Sequence, residues 1–184
     1  MTDRLFIVTG GPGTDKSSLI DALARAGWRH APEAGRAVIQ AQRAIGGSAL
    51  PWADRAAFAE AMLARDLRSY REALALPGPV IFDRGIPDIL GYLRLCGLPV
   101  PTHVVDAARH HRYNPRVFLA PYWPAIYACD AERRQDLAEA EATGRMMAHI
   151  YAELGYEVVP LPFASIAERM TFVERHIAGR AVRP

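Results

Sequence analysis

The chain has little cysteine, no long apolar run and no excess of either charge, and each shortage removes a class of function. Cys96 and Cys129 are its two cysteines, far apart and without metal-ligand spacing, so neither a disulfide framework nor a zinc site is expected and a cytoplasmic protein is. No apolar stretch approaches the roughly 20 residues that span a bilayer. The opening Met1-Thr2-Asp3-Arg4 leads into a short apolar segment that ends in glycines, which is not the pattern of a signal peptide. Formal net charge is +2 and the arginines are interspersed with carboxylates, so no basic stripe points to nucleic acid. Internal repeats and low-complexity linkers are missing too.

What is present is a packable chain of 184 residues, 51% hydrophobic and 23% charged, long enough for one domain with a substantial core. Leu5 to Thr9 is apolar and rich in β-branched and aromatic residues, and Gly10-Gly11-Pro12-Gly13 stops it, so a buried strand and a tight loop are expected. Residues 16 to 26 place Leu19, Ile20, Leu23 and Ala24 on one helical face, closed by Gly27. The pattern continues with strands at 28–32, 80–83, 116–120 and 156–161. Helices are expected at 35–45, 54–76, 86–96, 102–111, 131–154 and 165–178. Apolar strands alternating with helices predict an α/β fold, three layers around a parallel sheet of about five strands.

The chemistry concentrates at the first strand-to-helix turn. In Gly10-Gly11-Pro12-Gly13-Thr14-Asp15-Lys16-Ser17-Ser18, glycines let backbone N–H groups turn inward and the following helix offers its positive end. Lys16 can reach terminal phosphates, and Ser17 can ligate Mg2+. Asp83 ends the Val80–Asp83 strand, where an acid could orient the metal or its water, although capping the helix that follows would also account for it. A charged helix begins near Arg133 and Arg134, after an aromatic segment containing Tyr122, Trp123 and Tyr127.

With these features in this order, the chain resembles the P-loop kinase superfamily. More narrowly it is similar to the small AAA-domain group of ATPases and kinases, to which the nicotinamide riboside kinase domain of NadR-like proteins is related. The narrower resemblance rests on the loop, Glu33 with Arg36, Phe82-Asp83-Arg84-Gly85, Phe118-Leu119-Ala120-Pro121, Asp130 with Glu132-Arg133-Arg134, and Leu154-Gly155-Tyr156. It implies ATP and Mg2+ as cofactors and transfer of the terminal phosphoryl group to a hydroxyl of a small nucleoside- or sugar-like acceptor. It implies Glu33 as the general base, with Arg36 one turn later able to grip an anionic acceptor group. It also implies a helical lid over about 122–145, whose Arg133 or Arg134 joins Arg84 in stabilising transferred charge. Phe163, after the last strand, could border the adenine, and Trp123 and Tyr127 could wall the acceptor; Arg112, Arg116 and His110-His111 are expected at the surface. A nucleotide-binding regulator without chemistry, a simple ATPase and an oligomeric ATP-driven machine remain alternatives.

One residue departs from the superfamily pattern. Asp15 stands where glycine precedes the lysine, and a carboxylate there crowds and repels a β-phosphate. Two unit charges about 4 Å apart at an effective dielectric of about 20 interact by roughly 4 kcal/mol, or about a thousandfold in affinity. The same carboxylate favours a helix N-terminus by ~0.3–1 kcal/mol.

Overall fold

A computed structural model describes residues 2–123 and 137–178. Its strands and helices follow in the order β1 (Leu5–Gly10), α1 (Lys16–Arg25), β2 (Arg29–Ala31), α2 (Ala34–Ile45), α3 (Arg55–Ala75), β3 (Val80–Asp83), α4 (Ile86–Leu95), α5 (Thr102–His110), β4 (Arg116–Ala120), α6 (Leu137–Glu153), β5 (Glu157–Pro160) and α7 (Ile166–Ala178). The five strands form one sheet in the order β2-β3-β1-β4-β5, and every neighbouring pair is parallel. This is the three-layer α/β architecture that the alternation of strands and helices predicts.

Alternate side chains of a strand point to opposite faces, and β1 shows why its run is unbroken. Leu5 and Ile7 enter one buried cluster with Tyr70 of α3 and Tyr151 of α6, while Phe6 and Val8 enter another with Leu19 and Leu23 of α1 and Val173 of α7. Both faces are covered, so a polar residue inside the run would need a partner. A third cluster, made by Leu63 of α3, Ile89 and Leu93 of α4, Val104 of α5 and Ile150 of α6, anchors the outer helices.

Boundaries follow local chemistry. α1 closes as its glycine predicts: Gly27 takes φ 93°, and the Trp28 N–H returns to the Leu23 carbonyl at 3.0 Å. β2 is shorter than expected, ending before Pro32, which has no N–H to donate to a ladder. The α6 helix is described from Leu137, so the stretch 131–136 of the expected helix lies outside the described residues.

β1 is the middle strand. Its register sets Val8 beside Asp83 of β3 and Gly10 beside Ala120 of β4, so the glycine loop, Asp83 and the segment after Ala120 leave the sheet along one carboxyl edge. That edge, at the strand where the chain changes direction across the sheet, is where open α/β sheets place ligands.

Candidate functional site

The loop between Gly10 and Lys16 is shaped by what stands around it. Gly10 has φ 136°, and a Cβ there would run into the carbonyl of Ala120. A Cβ on Gly11 would meet the carbonyl of Ala140, so α6 lies directly against the loop. Inside it, Thr14 Oγ1 donates to the Gly11 carbonyl at 2.9 Å. The Lys16 ammonium donates to the same carbonyl at 2.5 Å and to Thr14 Oγ1 at 3.1 Å. Lys16 is only 7% exposed and its head turns inward, into the loop. Ser17 and Ser18 are exposed on the first turn of α1, whose leading N–H groups have no partner within the helix.

Asp15 takes φ 60° and ψ 28°, a left-handed conformation that glycine enters freely and that Asp tolerates better than most residues. From there its carboxylate makes no hydrogen bond to the backbone of α1; it accepts one from the Ser18 hydroxyl. The expected benefit at the helix end therefore comes without a capping bond, because residues that cap through the side chain ordinarily sit in the extended region.

Beside the loop lies a group of charges. Asp83 is buried at the end of β3, and its Oδ1 makes no hydrogen bond. Burial, reinforced by Glu33, raises its pKa, while Lys16 and Arg84 pull it down. Gly85, not Asp83, caps α4, so the capping explanation for Asp83 does not hold. Arg84 has φ 69°, a conformation uncommon for a long side chain, and it brings the guanidinium 3.3 Å from Glu33 Oε1 and 3.0 Å from Asp88 Oδ1. Burial works against that charge, but Glu33, Asp88 and Asp83 more than compensate and leave the Arg84 pKa raised. Glu33 itself is the residue before α2, and its ion pair is with Arg84, whereas Arg36 is exposed one turn on.

Two acids here escaped the sequence reading. Asp88 accepts from Thr9 Oγ1 at 2.5 Å, Arg84 Nη1 at 3.0 Å, the Gly85 N–H at 3.0 Å and Tyr151 OH at 2.6 Å. It ties β1, the β3-to-α4 turn and α6 together. The available signal was its place three residues after the Gly85 that starts a helix, where an acid reaches back to the cap N–H. Asp66 of α3 is 8% exposed and has its pKa raised to about 8, by burial first and then by Asp88 and Glu33. Nothing in its helical context marked it.

The other expected residues divide cleanly. Arg133, Arg134 and Tyr127 lie outside the described residues, as does most of the first half of the expected lid. Phe163 is 61% exposed and meets Trp123 edge-on at 5.5 Å, so the segments after β4 and β5 bring two aromatic rings together beyond the same carboxyl edge. Arg116 opens β4 at the opposite edge and pairs with Glu157, and Arg112 lies 4.0 Å from the Tyr156 ring centroid. Among the described residues, no cluster of His, Cys, Asp or Glu has the makings of an all-protein metal site, and no helix is long and apolar enough to cross a membrane. A magnesium ion that takes most of its ligands from phosphate and water needs less, and the Ser17 hydroxyl with the unpartnered Asp83 oxygen fits that requirement.

Comparison with known proteins bears on the family and the fold. A family model described as "AAA domain" matches residues 5–169. No curated protein matches the chain. Among solved structures, the chain is similar to a shikimate kinase from Acinetobacter baumannii in complex with shikimate, with a TM-score of 0.54, 10% identity, and coverage of 97% of this chain and 94% of that one. It is also similar to a deoxyadenosine kinase from M. mycoides with bound dATP, with a TM-score of 0.52, 11% identity, and coverage of 95% and 99%. At such identities the likeness establishes the fold.

Proposed function

Since the chain belongs to the AAA domain family and has the fold of the P-loop kinase superfamily, we propose that it binds Mg-ATP at residues 10–18 and transfers the terminal phosphoryl group to a hydroxyl of a small nucleoside- or sugar-like acceptor. The observation that carries the reading is the convergence of Lys16, Asp83 and the Glu33–Arg84 pair at one sheet edge. Phosphoryl transfer asks a protein mainly for positioning and charge stabilisation, which such a group supplies. On this reading the chain acts as one domain over residues 1–184.

The backbone of Gly10, Gly11, Pro12, Gly13 and Thr14 and the leading amides of α1 cradle the triphosphate. Lys16 leaves the Gly11 carbonyl for a phosphate oxygen. Ser17 and Asp83 would hold Mg2+, which would screen phosphate charge. Glu33 takes the acceptor proton while Arg84 keeps the carboxylate oriented and faces the charge moving between donor and acceptor. Arg133 or Arg134 closes from the lid, and the Trp123–Phe163 pair offers a face for the base. The shikimate and dATP named with the two similar structures suggest where screening should begin, with ring polyols and nucleosides.

A second reading, a nucleotide-binding regulator without turnover, draws support from Asp15, whose carboxylate opposes the ligand. Calorimetric titration with Mg-ATP and a single-turnover transfer assay across an acceptor panel, run on the parent and on Asp15→Gly, separate the two. A kinase gives affinity higher in Asp15→Gly by between about tenfold and about a thousandfold, with phosphorylated acceptor as product. Equal affinity in both forms would sink the charge argument, and tight binding with no transfer to any acceptor would favour the regulator.

A further inference from the structure

Helix α7 carries a cation that the function proposed above does not use. Arg169, in the first turn of α7, is 1% exposed, among the most deeply buried side chains described. Its Nη1 donates to the Thr14 carbonyl at 3.2 Å, while Nε and Nη2 are buried and make no hydrogen bond. A guanidinium has five N–H donors, and burying them largely unmet is costly unless something nearby gains from the charge.

The helix that presents it is held in place. Glu168 accepts from the Ser165 N–H at 2.9 Å and from Ser165 Oγ at 2.7 Å, fixing the start of α7, and Val173 and Ile177 lock the helix against Leu19 and Leu23 of α1. Arg169 is thus delivered to the phosphate loop by packing. The charge that acts on it is Asp15: burial lowers the Arg169 pKa, and Asp15 raises it. Asp15 in turn is bonded to Ser18, and the guanidinium reaches the loop at the carbonyl of Thr14, the residue that precedes Asp15.

We propose that Arg169 is a positioning residue of the phosphate loop, fixing the Thr14 carbonyl and setting beside Asp15 the positive charge that offsets the carboxylate standing where the superfamily pattern has glycine. The pairing concerns the loop itself; its effect on Mg-ATP rests on the function proposed above. In the parent the guanidinium, held at the Thr14 carbonyl, offsets part of the Asp15 charge across the loop without a direct ion pair. In Asp15→Gly the same guanidinium is released to favour an anionic ligand.

A double-mutant cycle of Asp15→Gly and Arg169→Gln, read by urea denaturation without nucleotide and by Mg-ATP calorimetry, tests this. Arg169→Gln should lower the urea midpoint clearly in the parent and much less beside Asp15→Gly. Loss of the guanidinium should weaken Mg-ATP by about tenfold in the parent. Arg169→Lys, which keeps charge but not the fork, should recover part of the midpoint only where Asp15 is present. If Arg169→Gln fails to fold in the parent and folds beside Asp15→Gly, that rescue is the expected coupling in its strongest form. Additive midpoints, or failure to fold in both backgrounds with no recovery by Arg169→Lys, would overturn the proposal. Coupled midpoints in proteins that bind no Mg-ATP would leave the pairing standing and remove the nucleotide reading, so the two can fail separately.

Discussion

Asp88 shows how one side chain can organise a site without belonging to the motif that announces it. Its two oxygens accept from a strand hydroxyl, a guanidinium, a backbone amide and a tyrosine on another helix. Asp88→Asn removes the charge that Arg84 leans on and turns an amide donor toward donors. The expected cost is about 3 kcal/mol in urea denaturation, within the range for breaking one side of a buried ion pair, and it should come with loosened Arg84 and Glu33. A loss under about 1 kcal/mol would show that the network relaxes around Asn. At this scale the sequence spoke unevenly. Residues 10–18 were legible because a glycine loop before Lys-Ser has a specific physical job, Asp83 because it ends a strand, and Arg84 through the resemblance that its neighbours carry. Asp88 and Arg169 were not, since what distinguishes them is the company they keep across 79 and 155 positions of chain.

Helix α3 makes the same point at the level of elements. It runs from Arg55 to Ala75 with Asp54 capping its start through a 2.9 Å bond from the Ala57 N–H, and both ends were readable from Asp54 and from Pro77-Gly78-Pro79. What could not be read is that its Asp66 turns inward toward Glu33, Asp88 and Arg84. With a folded-state pKa of about 8 against 3.8, Asp66 is protonated in the fold at neutral pH and ionised when unfolded. The folded chain therefore holds the extra proton, and stability falls as pH climbs from about 4 through about 8. Asp66→Asn, which mimics the neutral acid, should flatten that decline, leaving Tm near the parent's at pH 4 and above it at pH 8.5 by about 4 °C or more. Thermal melts across that range check it; parallel curves for the two proteins would place the Asp66 pKa near its ordinary value. Among the described residues the strand and helix segments themselves were legible, with β2 trimmed by Pro32, because periodicity and breakers are local properties.

For the molecule as a whole, topology decides where chemistry can occur. The order β2-β3-β1-β4-β5 puts β1 in the centre, so residues from four connections (after β1, β2, β3 and β4) emerge along one edge although they are spread over more than a hundred positions. Glu33, Asp83 and the loop meet for that reason. Arg116 and Arg112 do not join them, because Arg116 opens β4 and Arg112 precedes it, toward the other edge. A count of strands foretold the sheet, while the central place of β1 is a matter of strand pairing.

Lys16 is the only lysine in the sequence, and its amine is held at 2.5 Å by a carbonyl of its own loop. Apart from the chain terminus, then, an acylating reagent that forms stable amides finds a single primary amine, parked under cover. Brief treatment with an N-hydroxysuccinimide ester followed by peptide mass spectrometry should give slow modification at Lys16 and slower still with Mg-ATP present. Rapid uptake without nucleotide would mean that the amine swings freely into solvent. The chain thus contains its own site-specific reporter, whose acylation clock keeps time with the opening of the turn around it.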